Sequence, residues 1–164
     1  MKDPFHIKHY ENDGFVHVCD VKYVEYDGQQ KGRLLYTNRQ DIMFDDYFSW
    51  VYVLLIYKRI VKLGETGNPL AIRTKNGKCK QGSQSRLGRL MSGDGTDEYI
   101  RNEIKNEQGV EIWARKCPTK NTTGLVAGTK TKTLITTHKS LEQAYLNHFL
   151  KVVGRLPKFN KMLK

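Results

Sequence analysis

The sequence predicts an α+β fold in a single domain spanning 1–164. Three observations carry that prediction. Pairs of runs rich in β-branched and aromatic residues are joined by short polar turns, as in β-hairpins. Later segments carry apolar residues at helical spacing. A chain of 164 residues, 38% of them hydrophobic, is long enough to bury one core. After an N-terminal hairpin the predicted order is β-β, helix, helix, β, helix, with no internal repeat.

Phe15 to Tyr26 (FVHVCDVKYVEY) is β-branched and aromatic, reaches a turn signal at Asp27-Gly28 and resumes at Arg33 to Thr37, which predicts the N-terminal hairpin. Val51 to Ile56 and Ile60 to Leu63, pinched apart by Tyr57, Lys58 and Arg59, predict a second hairpin. Its oddity is Lys62, a charge inside an apolar strand, almost opposite Tyr52 on the partner strand. A long polar loop is expected from Glu65 to Gly82. Ser85 to Met91, with leucines at 87 and 90, predicts a helix that stops at Ser92-Gly93-Asp94-Gly95. Asp97 to Glu107, with Ile100 and Ile104 on one face, predicts another. Val110 to Ala114 alternates like a strand. Thr119 to Thr137, rich in Thr, Lys and Gly, is expected to be a mobile loop or hairpin. The last helix is expected to be capped by Ser140 and to run from Leu141 to about Val153, with Ala144, Tyr145, Phe149 and Val152 inward.

Composition narrows the function. No run approaches the roughly 18 apolar residues of a membrane span. Met1 to Tyr10 has charges and a proline but no apolar centre, unlike a secretory signal, so a cytoplasmic location is expected. Cys19, Cys79 and Cys117 lie far apart and show no CxxC zinc spacing, which points to reduced thiols with packing roles. Lys and Arg number 28 against 17 Asp and Glu, a formal net charge of +11. That surplus creates a field suited to DNA or RNA. Arg73 to Arg89 carries basic residues and no acid, whereas Glu98 to Glu111 is mixed in sign, so the basic stretch reads as a phosphate-facing surface.

A tyrosine on the first strand of a hairpin (Val51-Tyr52-Val53), an X-Leu-Gly tripeptide on the second (Lys62-Leu63-Gly64), and an Arg-Leu helix ending in Ser-Gly (Arg86-Leu87 to Ser92-Gly93) occur in that order. Glu142 at the start of a late helix (LEQAYLNHF) and Asn160 in a closing LPKFN follow. In combination these resemble the GIY-YIG nuclease superfamily, closest in character to its type II restriction endonuclease branch. The resemblance covers Val51 to Asn160. It implies a small GIY-YIG-like domain over 50–164, with a central antiparallel sheet flanked by helices and basic insertions at about 65–82 and 119–137; residues 1–49 are an N-terminal extension. Lysine stands where the family's second signature begins with tyrosine, a change the resemblance assigns to the restriction branch, and the first signature lacks its glycine.

The resemblance implies hydrolysis of phosphodiester bonds in double-stranded DNA, in which water loses a proton, phosphorus gains a fifth oxygen and an alkoxide leaves. Tyr52 would be the general base, helped by Lys62, whose ammonium favours the phenolate. Arg86 would pair with phosphate oxygens in fork geometry, Glu142 would hold one Mg²⁺ against the leaving oxygen, and Asn160 would orient neighbouring groups. Arg73 also fits the family's usual separation from the second signature, and Arg89 is a third choice. Arg86 is preferred because Arg-Leu-x-x-Leu-x-Ser-Gly supplies a helix with an inward leucine face, while Arg73 leads straight into the turn signal Asn76-Gly77. Cutting both strands with one site per chain favours a homodimer or higher oligomer. The alternatives are a non-catalytic basic module whose tyrosines stack on bases, and a homing or repair nuclease.

Overall fold

The structure is a computed structural model that describes residues 3–25, 32–82, 84–92, 98–126 and 129–160. Its centre is a five-stranded antiparallel sheet ordered β2-β1-β5-β3-β4. The strands are β1 (Val16–Val24), β2 (Arg33–Thr37), β3 (Trp50–Ile56), β4 (Arg59–Thr66) and β5 (Val110–Lys116). The helices are α1 (Arg86–Ser92), α2 (Glu98–Ile104) and α3 (His138–Val153). This is the α+β architecture that the sequence predicts, a central antiparallel sheet flanked by helices.

The apolar run of β3 is explained by burial from both sides. Tyr52 and Leu54 join one core with Leu87 and Leu90 of α1 and Ile100 and Ile104 of α2. Val51, Val53 and Leu55 join a second core with Leu146 and Phe149 of α3 and with Phe5, Ile7, Tyr10 and Phe15. Such a strand needs no polar alternation, because neither of its faces meets water. The β3–β4 turn is the residue pair Tyr57-Lys58, both at positive φ (49° and 64°). Two left-handed residues give the backbone twist that a tight hairpin requires.

The N-terminal hairpin is woven into the same sheet rather than appended to it. β1 pairs with β2 on one side and with β5 on the other. A register shift between His17 and Cys19 lets consecutive residues Val18 and Cys19 both turn inward. The turn signal Asp27-Gly28 lies outside the described residues. At the far edge, β4 is sealed by both ends of the chain: the Ile60 amide donates to the Phe5 carbonyl, the Ile7 amide to Lys58, and the Phe159 amide to Val61. These bonds cover part of the edge that β4 would otherwise leave open to pairing.

Two expectations are corrected. α3 begins at His138 with Thr137 as its N-cap residue, and the Ser140 hydroxyl, already inside the first turn, donates to the Thr137 carbonyl instead of capping. The inward stripe of α3 is His138, Glu142, Leu146 and Phe149, while Ala144 and Val152 face solvent. Steps of three and four residues from Phe149 backwards select 146, 142 and 138, and that stripe includes a carboxylate that no hydrophobicity pattern would place inside. Thr119 to Thr137 forms a hairpin of its own, β6 (Thr119–Val126) and β7 (Thr129–Thr136), a two-stranded sheet apart from the main one. The three cysteines are free and buried, and burial pushes the Cys79 thiol up to about 11 and the Cys19 thiol higher still.

Candidate active site

Tyr52 faces Gly64 of β4 on one side and Ala114 of β5 on the other. Small neighbours on both flanks leave room for a phenol ring on a crowded sheet. At Gly64 the fit is so close that a Cβ would collide with the Tyr52 hydroxyl and ring. The residue opposite Tyr52 is therefore Gly64; Lys62 faces Leu54, one step further along the same sheet face. The Lys62 ammonium points towards the Phe159 carbonyl at 3.5 Å.

Arg86 meets the Tyr52 hydroxyl directly, its Nε donating to it at 2.5 Å. The guanidinium carbon lies 5.1 Å from the Tyr52 ring centroid. Arg86 is 8% exposed and Tyr52 5%. Local sequence holds the arginine in place. Ser85 is the N-cap of α1, its hydroxyl accepting from the Gly88 amide at 3.1 Å, and the Arg86 and Leu87 amides donate to the carbonyls of Pro69 and Leu70. Arg73 and Arg89 take other positions. Arg73 forms a β-bridge with Cys79 and stacks its guanidinium 4.0 Å above Phe44. Arg89 lies one turn further along α1, with its Nε buried and making no hydrogen bond.

Asn160 grips the backbone of the Lys62-Leu63-Gly64 tripeptide. Its side-chain oxygen accepts from the Leu63 amide at 2.8 Å, and its side-chain nitrogen donates to the Leu63 carbonyl at 2.7 Å. One amide side chain thus mimics a neighbouring strand for one residue of β4.

Glu142 projects from the opposite side of the sheet, on α3, and is 6% exposed. With Glu65, Lys139, Ser140 and Gln143 it lines a surface cavity of about 540 Å³. Behind the cavity, Nε2 of buried His138 meets a Glu65 oxygen at 3.4 Å, and its Nδ1 lies 3.1 Å from the Ser49 hydroxyl. The structure therefore brings Arg86 to the Tyr52 hydroxyl and sets Glu142 beside Glu65 in the lining of one cavity. Gly64 and Glu65, adjacent in sequence and alternating across β4, join the two halves at the end of the strand. Glu65, His138 and Ser49 carry no motif of their own in the sequence; Glu65 is marked only as the residue after Lys62-Leu63-Gly64, and His138 as the histidine four positions before Glu142.

The cavity offers the carboxylates of Glu65 and Glu142, oxygen donors that suit a hard divalent cation, beside the Ser140 hydroxyl, the Gln143 amide and the Lys139 ammonium. A separate group of metal-ligating side chains, His17, Asp20 and Glu111, gathers across β1 and β5. It is internally satisfied: His17 pairs with Asp20 at 2.8 Å, Asn38 donates to the other Asp20 oxygen, and Lys58 and Trp113 both donate to Glu111.

No protein-family profile matches the sequence, and no curated protein matches it. Among solved structures, a point mutant of bacteriophage T4 EndoII superposes with a TM-score of 0.55 at 17% identity, covering 94% of this chain and 98% of that one. The restriction endonuclease HPY188I in complex with product DNA superposes with a TM-score of 0.49 at 20% identity, covering 98% and 88%. The similarity to EndoII extends over nearly the whole of both chains, and what it shows is a shared fold.

Proposed function

We propose that this protein is a metal-dependent endonuclease of the GIY-YIG kind that hydrolyses phosphodiester bonds in double-stranded DNA, acting as a site-specific type II restriction enzyme. The observation that carries the reading is the buried hydrogen bond from Arg86 to the Tyr52 hydroxyl, made where Gly64 clears space for the ring. A buried tyrosine hydroxyl needs a hydrogen-bond partner, and a guanidinium in that role also favours the phenolate. The order of motifs from Val51 to Asn160, the net charge of +11 and the fold shared with T4 EndoII support it.

In this reading Tyr52, as phenolate, takes the proton from the attacking water. The Arg86 guanidinium and the Lys62 ammonium, on the same face, favour negative charge on that oxygen. The guanidinium carries further N–H donors in its plane, which match the oxygens of a phosphate as it gains charge. Asn160 fixes the Lys62-Leu63-Gly64 backbone and so the position of the lysine. Glu142, with Glu65 beside it, would hold the Mg²⁺, which when bound withdraws charge from the phosphoryl and leaving oxygens. Each chain carries one such site, so a double-strand cut calls for a homodimer.

The test is digestion of supercoiled plasmid with Mg²⁺, with the ends of any product mapped. Discrete, metal-dependent cuts at a recurring sequence are expected. Binding without cleavage under any divalent cation would leave only a DNA-binding module.

A further inference from the structure

The β6–β7 ribbon plays no part in the chemistry above, yet it is the least self-sufficient piece of the fold. Its two strands pair with each other and not with the main sheet. An isolated two-stranded ribbon is marginally stable in water, so one built into an enzyme gains its order from something it lies against. Several features specify that partner. From Thr119 to Thr136 the sequence has three lysines, Lys120, Lys130 and Lys132, and no acid. All three lysines are exposed. The register sets Thr123 against Lys132 and Asn121 against Leu134, so strand alternation puts Asn121, Thr123, Lys130, Lys132 and Leu134 on one face. Leu134 is 53% exposed.

We propose that this face of the β6–β7 ribbon enters the major groove of duplex DNA and reads the recognition sequence. The inference rests on the endonuclease reading above and assigns its specificity to one element. The dimensions fit. Strands of eight residues are about 27 Å long at about 3.4 Å per residue, and the major groove, about 12 Å wide, admits a two-stranded ribbon. The chemistry fits as well. Asn is the side chain that pairs bidentately with adenine, Thr hydrogen-bonds base edges, apolar groups such as Leu134 meet the thymine methyl, and the lysines reach guanine or the flanking phosphates. The attachment points are also apt: the ribbon leaves the body after β5 and returns directly into α3, closed at its base by the Thr137 hydroxyl donating to the Pro118 carbonyl. Five residues beyond that base lies Glu142, so a ribbon seated in the groove brings the proposed cation cavity up to the backbone beside it.

Two variants outside the core test this, Lys130→Ala with Lys132→Ala and Asn121→Ala with Thr123→Ala, both checked for unchanged melting. The probes are a plasmid fragment containing a site that the wild type cuts and a 30-base-pair duplex lacking it. The lysine variant is expected to weaken binding to both duplexes and to flatten the slope of log affinity against log salt by up to about 1.8, at about 0.9 per phosphate contact. The Asn121/Thr123 variant is expected to lose about tenfold or more on the cut site alone, with matching loss of dimethyl sulfate protection at guanine N7, a major-groove atom. If the wild type binds and cuts DNA while both variants keep its affinity, salt slope and protection pattern, the ribbon proposal is wrong and the nuclease reading stands. Loss of self-association in the variants with DNA binding intact would make the ribbon a contact between copies, which also overturns it. A wild type that binds neither duplex overturns both.

Discussion

A single methyl group is enough to probe the geometry around Tyr52. Alanine at Gly64 would put its Cβ into the Tyr52 hydroxyl and ring, in a core where neither strand has room to move. Overpacking of this kind costs about 1–3 kcal/mol. Gly64→Ala is therefore expected to lower the unfolding free energy measured by urea denaturation by that amount and to displace the ring from Arg86, with cleavage falling more steeply than stability; an unchanged unfolding free energy would show that the close approach is not maintained in solution. Much of this arrangement was legible in the sequence. Tyr52, Gly64 and Arg86 were identifiable because each belongs to a short motif of recognisable order. The link between Arg86 and Tyr52 was not, since it spans a loop whose path depends on Pro69 and Leu70 docking on α1. Lys62 is the diagonal neighbour of Tyr52 on the same face, with Leu54 directly opposite it, and that register could not be counted from the sequence because of the irregularity between Leu54 and Leu55.

Among the elements, β4 is the one on which the site depends, and Asn160 is its clamp. Asn160→Ala removes two hydrogen bonds to Leu63 and leaves that edge of the strand open. At about 0.5–1.5 kcal/mol per bond, a loss of about 1–3 kcal/mol is expected, together with faster hydrogen exchange at the Leu63 amide, which NMR would read directly. An amide as protected as in the wild type would mean that the side chain does not hold the strand. Helices and strands with strong periodicity emerged from the sequence at nearly their observed positions, as α1, α2, β3 and β5 illustrate. α3 was misjudged for a physical reason: its buried stripe contains His138 and Glu142, polar groups held inside by the cavity and by Ser49 and Glu65. Periodicity arguments expel such groups, and functional sites are where that argument fails.

The whole molecule is closed by its N-terminal segment, and tyrosines at that seam set an alkaline limit on stability. Tyr10 packs its ring tilted against Phe149, and the Tyr145 hydroxyl donates to Asp13 and accepts from Arg115. Burial, reinforced by Asp13 and Asp3, pushes Tyr10 up to about 12; burial and the bond to Asp13, opposed by Arg115, do the same for Tyr145. Unfolded tyrosine ionises near 10. Both groups are neutral in both states below about pH 10, so their contribution is fully present there, and it is lost as pH rises from about 10 towards 12 because the unfolded chain releases its protons first. Denaturation free energy is thus expected to be level through neutral pH and to fall above about pH 10, with Tyr10→Phe flattening the fall; identical curves for the variant and the wild type would place the alkaline limit elsewhere. The claim on which the functional account turns, that the Tyr52 oxygen held by Arg86 is the group that takes the proton, has a more direct test. Single-turnover cleavage of plasmid DNA in Mg²⁺, by the wild type and by Tyr52→Phe at matched DNA occupancy, should show a loss of at least about a hundredfold with binding retained, whereas equal rates would contradict it.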